Sequence, residues 1–429
     1  MDIFWVFAVL TILGLLGYGF QILAVRSHLS ETKKVPCMKG EDAEGSEADR
    51  FLGNVKDAHG GSGGWSPVSI LKPLKGLDDN LLDNLESYCN QVYPDYEIIF
   101  SLQDRNDPAF RLARRVQDKY PDKDITIVVE RCNLGLNPKV NNLIPAYRAS
   151  KHQYILISDS NVIVDRNYLK HLMNHMNDPT VGLVSNLIRG AGGQSIGSIF
   201  ENLHLNSFVI GSVCFVNRFL RMPCVVGKSM LMRRDAFEAM GGFDAVKDLL
   251  AEDYIIGKRM QNLGLKVVVC GQMITNVNEY WTVKKFLNRH TRWGKLRWRI
   301  ASFRYTAELM GNAVFMSFFP IILWKPSRIT VSFAILVCLI KAMGDYYLGK
   351  SIGGPHKNRH YLLSPVKDLL MGVIWFIPLV NNRVIWRGNK YKIGKGTSLS
   401  PCTPLAHETS FASGTHTSQL FADTFNHHA

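Results

Sequence analysis

The sequence predicts an α/β fold: a Rossmann-like mixed sheet, mainly parallel, with an N-terminal transmembrane helix before it and membrane helices after it. Between residues 66 and about 280, apolar runs of four to six residues alternate with longer helical patterns. Short apolar runs separated by helices are typical of strands that are buried on both faces. Residues 3–24 carry no charge, and a helix needs roughly 20 such residues to cross the hydrocarbon core.

The first element, residues 1–26, is interpreted as a transmembrane anchor. The alternative is a cleaved signal peptide, but Asp2 is the only charge before the apolar run and no small-residue cleavage site follows it. Arg26, Lys33 and Lys34 lie after the run, so the positive-inside rule predicts that the following domain faces the cytosol. The eight cysteines include no C-x-x-C pair, which agrees with a reducing compartment.

The next segment, residues 27–65, is polar and glycine-rich and is expected to be a flexible linker or loop. Residues 66–282 form the predicted catalytic domain. Its expected strands are 68–71, 97–102, 125–129, 154–157, 181–184, 230–232 and 266–269, and the clearest helical patterns are 81–91, 110–119 and 139–149. In such sheets, ligands bind at the carboxyl ends of the strands.

The last third combines cations, aromatic residues and apolar segments. Residues 283–305 are expected to form a basic helix on the membrane surface, because their cations alternate with aromatic side chains. We attribute the net charge of +14 to contact with the membrane surface, so no nucleic-acid partner is expected. Residues 306–388 contain three apolar segments, at about 309–324, 329–346 and 366–381, of which one is expected to be re-entrant or interfacial. Residues 389–429 are expected to be a polar tail.

Two aspartates follow predicted strands and are candidate donor-binding residues. Asp104 can accept from a pyrimidine or a ribose, although an Asx turn or a helix cap before Pro108 is the structural alternative. Asp159 is the candidate metal ligand, because Mg²⁺ or Mn²⁺ needs only one or two carboxylates beside diphosphate oxygens. Lys139 opens a helix whose N-terminus can favour anionic oxygens; alternatively, it is a solvated lysine in the first turn.

Two further groups are candidates for the chemistry itself. Asp253, with Glu252 as the alternative, is the candidate catalytic base; the structural alternative is that both are ordinary first-turn helix acids. The segment 289–293 is the candidate site for the diphosphate and the acceptor, because Arg289 and Arg292 lie on one helix face. It comprises Arg289, His290, Thr291, Arg292 and Trp293. Gly227-Lys228-Ser229 is not a P-loop, since Met222 occupies the position of the required glycine.

Taken in order, these residues resemble the membrane-bound GT-A glycosyltransferases of family 21, which are family 2-like and include the ceramide glucosyltransferases. The resemblance covers roughly residues 66–300. It rests on residues 71–76 (LKPLKG), Gln103-Asp104, Asn137-Pro138-Lys139, Asp159-Ser160, Gly227 to Arg233, Ala251 to Tyr254, and Arg289 to Trp293. Two positions depart from it: animal members tend to have glycine at Asn161 and histidine at Val209.

The resemblance implies an inverting transfer of glucose from UDP-glucose to the primary hydroxyl of ceramide. It implies Mg²⁺ or Mn²⁺ at Asp159, uridine at Asp104 and a base at Asp253. It also implies a Golgi membrane, a catalytic domain facing the cytosol, and UDP-glucose, ceramide or a related lipid, and the bilayer as partners. The alternatives are another lipid acceptor such as a hopanoid, a polysaccharide synthase, and an inactive membrane scaffold that keeps the fold.

Overall fold

The structure is a computed structural model that describes residues 2–34, 65–222, 224–323, 326–386 and 388–402. Helix α1 (Asp2–Lys34) contains the predicted anchor and continues past residue 26. The predicted linker, 27–65, lies outside the described residues except at its two ends.

An eight-stranded sheet forms the centre of the molecule. Its strands are β1 (Val68–Pro73), β2 (Tyr96–Leu102), β3 (Asp124–Val129), β4 (Tyr154–Ser158), β5 (Val162–Ile163), β6 (Val181–Gly192), β7 (Ser229–Arg233) and β8 (Lys266–Asn278). They are arranged in the order β3-β2-β1-β4-β7-β6-β8-β5. Four of the pairings are parallel, β1 with β2 and β4, β2 with β3, and β6 with β8. The predicted mixed, mainly parallel sheet is confirmed.

Each predicted strand begins within one residue of an observed one. The apolar runs are buried in β1, β2, β4, β6 and β7 and only partly buried in β3 and β8. Strands β6 and β8 continue eight and nine residues beyond the expected ends at 184 and 269. They pair along this extension as far as Gly192 and Asn278. The extension mixes buried apolar residues with polar residues and glycines, so no continuous apolar run predicted it.

Helices pack on both faces of the sheet. They are α2 (Leu81–Cys89), α3 (Pro108–Lys119), α4 (Pro138–Ala149), α5 (Tyr168–Met176), α6 (Ile196–Leu220), α7 (Arg234–Ala239) and α8 (Glu252–Asn262). Asn137 caps α4, its side chain accepting from the amides of Lys139 and Val140, and Pro138 occupies the first turn. A side-chain cap followed by proline is a strong helix start, and it fixes Lys139 at the edge of the sheet.

The remaining helices are α9 (Val283–Ala301), α10 (Thr306–Met310), α11 (Ala313–Leu323), α12 (Arg328–Ser351), α13 (Ser364–Ile374) and α14 (Ile377–Val380). Within the described ranges, four helices are long and apolar enough to cross a membrane: 4–31, 196–220, 328–351 and 358–380. The segment 283–310 is bent by 69° against 313–323 and is a fifth candidate if the pair is one broken span. The sequence did not predict the candidate at 196–220, which is α6.

Four charged side chains form a buried cluster between the apolar helices. The Lys341 ammonium lies 2.5 Å from the Asp345 carboxylate and 3.3 Å from Asp368, and Lys367 lies 2.8 Å from Asp368. The Tyr18 hydroxyl of α1 donates to Asp345 at 2.6 Å. Two lysines and two aspartates balance in charge, which permits their burial, and the cluster links α1, α12 and α13.

The C-terminal residues differ from the predicted polar tail. Strands β9 (Arg383–Trp386), β10 (Asn389–Ile393) and β11 (Leu399–Pro401) form a separate antiparallel sheet. One face of this sheet is apolar and packs against Leu250. Charged and apolar residues alternate along these strands, so the mean hydropathy of the segment is low and the strands were not predicted. Residues 403–429 lie outside the described part of the chain.

Candidate active site

An open cleft of about 2200 Å³ lies at the carboxyl ends of β1, β2 and β4. Seven of the predicted site residues line it: Asp104, Lys139, Asp159, Asp253, Arg289, Arg292 and Trp293. The other two, His290 and Thr291, do not line the cleft. The fold therefore gathers residues that are widely separated in the sequence around one cavity.

Asp104 lies at the exposed rim of the cleft. Its carboxylate accepts from the amide of Asn106 at 2.9 Å, which is the Asx turn considered as the structural alternative. The helix cap is a different residue, because Asp107 accepts from the amides of Ala109 and Gly76. The Asx turn uses one carboxylate oxygen of Asp104 and leaves the side chain in the cleft.

Asp159 lies between two lysines. Its Oδ1 is 3.0 Å from Nζ of Lys139, and its Oδ2 is 2.9 Å from Nζ of Lys228. Burial opposes ionisation, but the two ammonium groups outweigh it and hold the pKa of this carboxyl far below its usual range. A third lysine, Lys72, is fully buried and donates to the main-chain oxygen of Asp159 at 3.0 Å. Asp159 is therefore ionised and fixed in position.

The oxygens around Lys228 test whether these residues fit a divalent cation. The Lys228 ammonium lies 2.9 Å from Oδ2 of Asp159 and donates to Oδ1 of Asn161 at 2.7 Å. A carboxylate and an amide oxygen thus converge on one positive charge, and hard cations such as Mg²⁺ prefer these ligand types. No three His, Cys, Asp or Glu side chains converge as a metal site anywhere in the described ranges. The residues fit a cation that obtains its remaining ligands from diphosphate and water.

Glu252 and Asp253 begin α8 and differ in their partners. The Glu252 carboxylate is buried, 3.2 Å from Nζ of Lys139, and accepts from the Asn137 side chain at 3.2 Å. Asp253 accepts only main-chain amides, from Gly227 at 2.9 Å and Tyr254 at 2.8 Å. Burial and the neighbouring Glu252 raise the pKa of Asp253 to about 6. Asp253 is the more accessible acid and the better placed to accept a proton near neutral pH.

Gly227 is required where it approaches Asp253. A Cβ atom at position 227 would collide with the carboxylate of Asp253. The oxygen of Gly227 also accepts from Lys139 at 2.8 Å. Its main chain therefore connects the acid of α8 to the lysine of α4.

Arg289 is held by an acid that sequence reasoning did not select as functional. Glu201 of α6 is fully buried and lies 3.1 Å from Nη1 of Arg289. The guanidinium also lies over two indole rings, 5.1 Å from the centroid of Trp281 and 4.4 Å from that of Trp293. These contacts orient Arg289 at the cleft wall and occupy part of its donor capacity. A carboxylate in an apolar helix is a recognisable functional signal, and Glu201 carries it.

The other residues of the segment 289–293 have separate positions. His290 is buried and its Nε2 lies 2.7 Å from Glu201, which explains why it does not reach the cleft. The Arg292 guanidinium lies 5.7 Å from the ring centroid of Trp386 in β9. Arg292 and Arg289 thus line one cleft but are held by different elements.

Lys228 and the C-terminal sheet were also missed by sequence reasoning. The segment containing Lys228 was rejected as a P-loop, correctly as regards the motif, yet the lysine contacts Asp159. The residues on either side of Lys228 form no motif that predicts a contact with Asp159. The cleft also includes Trp386 and Tyr391 from residues expected to lie in membrane segments and in a tail.

The family model and the related sequences agree on one family of glycosyltransferases. The family model described as glycosyl transferase family 21 matches residues 52–399. Ceramide glucosyltransferase 3 of Caenorhabditis elegans is 30% identical over 352 residues, covering 78% of this chain and 74% of the relative. Ceramide glucosyltransferase 1 of the same organism is 31% identical over 357 residues, covering 77% and 72%. The range of the family model contains the whole eight-stranded sheet and ends at Leu399 in the C-terminal sheet.

Among solved structures, the chain is similar to mannosyltransferase PcManGT from Pyrobaculum calidifontis, in complex with GDP-Man and Mn²⁺. It is 16% identical, with a TM-score of 0.44, and the match covers 86% of this chain and 99% of that one.

Proposed function

The chain belongs to glycosyl transferase family 21, and on that premise we propose that it transfers glucose from UDP-glucose to the primary hydroxyl of ceramide. The names of its relatives favour ceramide over a hopanoid or a growing polysaccharide as the acceptor. One observation supports the chemistry above the others. Asp253, a carboxyl with a raised pKa, lines the same cleft as Asp159 and its lysines.

The proposed reaction is a single inverting displacement. Asp253 accepts the proton of the acceptor hydroxyl as the oxygen attacks the anomeric carbon, and UDP leaves on the opposite side. Its raised pKa keeps the carboxylate basic enough for this transfer, while Glu252 stays paired with Lys139. The role of base therefore falls to Asp253 rather than to its neighbour.

The leaving diphosphate gathers negative charge, and the cleft provides cations for it. Lys139 and Arg292 line the cleft, and Arg289 is fixed beside them by Glu201. Arginine suits this task because its fork of donors matches phosphate oxygens. Asp104 at the rim is the proposed partner of the uridine.

Asp159 and Asn161 are the residues that would hold Mg²⁺ or Mn²⁺. When bound, such an ion neutralises the diphosphate and makes it a better leaving group. Lys228 and Lys139 keep Asp159 ionised, so it is ready to ligate at any physiological pH.

The acceptor is proposed to reach the cleft from the bilayer. Val209 and Val213 of α6, a candidate membrane helix, line the cleft together with Leu296 and Ile300 of the basic helix α9. These apolar side chains suit the alkyl part of a lipid. We place the catalytic domain on the cytosolic face of a Golgi membrane.

The test is product analysis in membranes from cells that lack glucosylceramide synthesis. With this chain expressed, radiolabelled UDP-glucose is expected to label a lipid that mass spectrometry identifies as glucosylceramide. The Asp253→Asn variant serves as the inactive control. Labelling of a different lipid, or of a polymer, in the presence of ceramide would contradict the proposed acceptor.

A further inference from the structure

The C-terminal sheet holds the loop that directly precedes the two acids at the start of α8. Residues 248–251, here called the acid loop, immediately precede Glu252 and Asp253. The amide of Leu399 donates to the oxygen of Asp248 at 2.8 Å, and Leu249 and Ser398 form an antiparallel bridge. The acid loop therefore pairs with the edge of the C-terminal sheet at β11.

Thr397 makes two contacts with the acid loop. Its main-chain oxygen accepts from the amide of Leu250 at 3.0 Å, and its side-chain oxygen accepts from the amide of Ala251 at 3.4 Å. Ala251 is the residue directly before Glu252 and the N-cap of α8, where its own side chain has no capping group. Thr397 thus satisfies two main-chain donors at the start of the helix that carries both acids.

The backbone of Thr397 is strained. Its φ is +66°, and Gly396 before it has a φ of +63°. A β-branched residue rarely adopts this left-handed conformation, because its side chain crowds the backbone there. Thr397 is nevertheless completely buried. Strain of this kind persists only where surrounding contacts enforce it, and two hydrogen bonds of Thr397 are those to the acid loop.

The acid loop is held from its other side by the start of α4. The Asn137 side chain donates to the oxygen of Leu249 at 2.7 Å and to Glu252 at 3.2 Å. The amide of Leu136 donates to the Asp248 carboxylate at 2.9 Å. The loop is fixed between α4, which carries Lys139, and the C-terminal sheet.

Apolar packing supports the same contact. Leu250 of the acid loop is buried with four residues of the C-terminal sheet: Val384 of β9, Tyr391 and Ile393 of β10, and Leu399 of β11. The Lys295 ammonium of α9 donates to the oxygen of Arg383 at 2.6 Å, which ties the sheet to the helix bearing Arg292.

We propose that the C-terminal sheet is part of the catalytic unit and that Thr397 is a positioning residue, which fixes the acid loop so that Asp253 faces the acceptor. The inference rests on the proposed function for the identity of the reaction. Thr397 itself touches neither substrate nor reacting atoms.

The experiment compares Thr397→Val with Thr397→Ser in the full-length protein. Valine keeps the shape and the β-branch but cannot accept from Ala251, whereas serine keeps the hydroxyl. Thr397→Val is expected to lower kcat about tenfold with the KM for UDP-glucose unchanged, and Thr397→Ser to remain near wild type. Ser400→Ala, three residues further along the chain at an exposed position in β11, is the matched control.

Hydrogen–deuterium exchange supplies a readout that does not depend on the substrate. The amides of residues 250 and 251 are expected to exchange faster in Thr397→Val than in the wild type or in Thr397→Ser, with strands β1 to β4 unchanged. Equal protection in all three proteins would overturn the inference. An inactive wild type with this exchange difference would instead count against the proposed function alone.

Discussion

Replacing Asp253 by asparagine removes the proposed base with little change in shape. Both carboxylate oxygens accept main-chain amides, from Tyr254 at 2.8 Å and from Gly227 at 2.9 Å. Asparagine has one acceptor oxygen, so its NH₂ group must face one of these N–H donors. Leaving one buried donor unsatisfied costs about 1–3 kcal/mol of stability, which a folded domain of this size can tolerate.

The catalytic loss is expected to be larger than the structural one. A positioned general base contributes a factor on the order of 10²–10⁴ in rate, which corresponds to about 3–5 kcal/mol of transition-state stabilisation. Donor binding should be preserved, because the partners of Asp159 are Lys139 and Lys228 rather than Asp253. We therefore expect kcat to fall by a factor of hundreds or more while the affinity for UDP is unchanged.

The assay measures initial rates of glucosylceramide formation in ceramide-containing micelles, with UDP affinity from calorimetry. Asp244→Asn is the matched control, because Asp244 is an exposed acid paired only with Lys247 on the surface. Turnover of Asp253→Asn within about tenfold of the wild type would refute the assignment, and Glu252 would become the candidate base.

Four other predictions concern pH, metal and two buried charges. Because only ionised Asp253 accepts a proton, kcat/KM should rise with pH and level off above about 6; a profile that is flat from about pH 5 to 7 would contradict the base. Dialysis against EDTA should abolish transfer and Mn²⁺ or Mg²⁺ should restore it, whereas full turnover in chelator would remove the metal from the reaction. Glu201→Gln leaves the Arg289 guanidinium beside a neutral group, so the KM for UDP-glucose should rise on the order of tenfold. Glu201→Asp should restore the KM. An unchanged KM in Glu201→Gln would show that Arg289 does not need this partner. Lys341→Met leaves an unbalanced buried carboxylate and should lower the free energy of unfolding by about 3–5 kcal/mol, measured by thermal unfolding. Adding Asp345→Leu should recover part of this loss. Equal melting temperatures for Lys341→Met and the wild type would refute the need for charge balance.

Much of the sheet and of the cleft could be predicted from local patterns. Buried strands are short apolar runs, so β1, β2 and β4 were located to within a residue or two. Asp104 and Asp159 follow two of them, and parallel strands place such residues at one edge. The extensions of β6 and β8 are of mixed composition and the strands β9 to β11 alternate, so neither contains a continuous apolar run. The extensions pair with each other across many residues, and the apolar face of β9 to β11 is covered by the distant Leu250.

The site shows the same division. Asp253 could be selected because it is an acid at the start of a helix, and the structure separates it from Glu252 by their partners. The arginines of α9 were recognised from their spacing, but their environments could not be foreseen. Arg289 depends on Glu201, which lies on α6.

Local hydrophobic periodicity and residue chemistry suffice to predict the class of fold, the apolar segments and the order of the acids along the chain. Which groups meet depends on the folded chain: Lys228 contacts Asp159, Glu201 contacts Arg289, and Thr397 contacts the loop before Asp253. Such pairings join distant parts of the chain, and their energies depend on burial and on distances of a few ångströms, which no local pattern records.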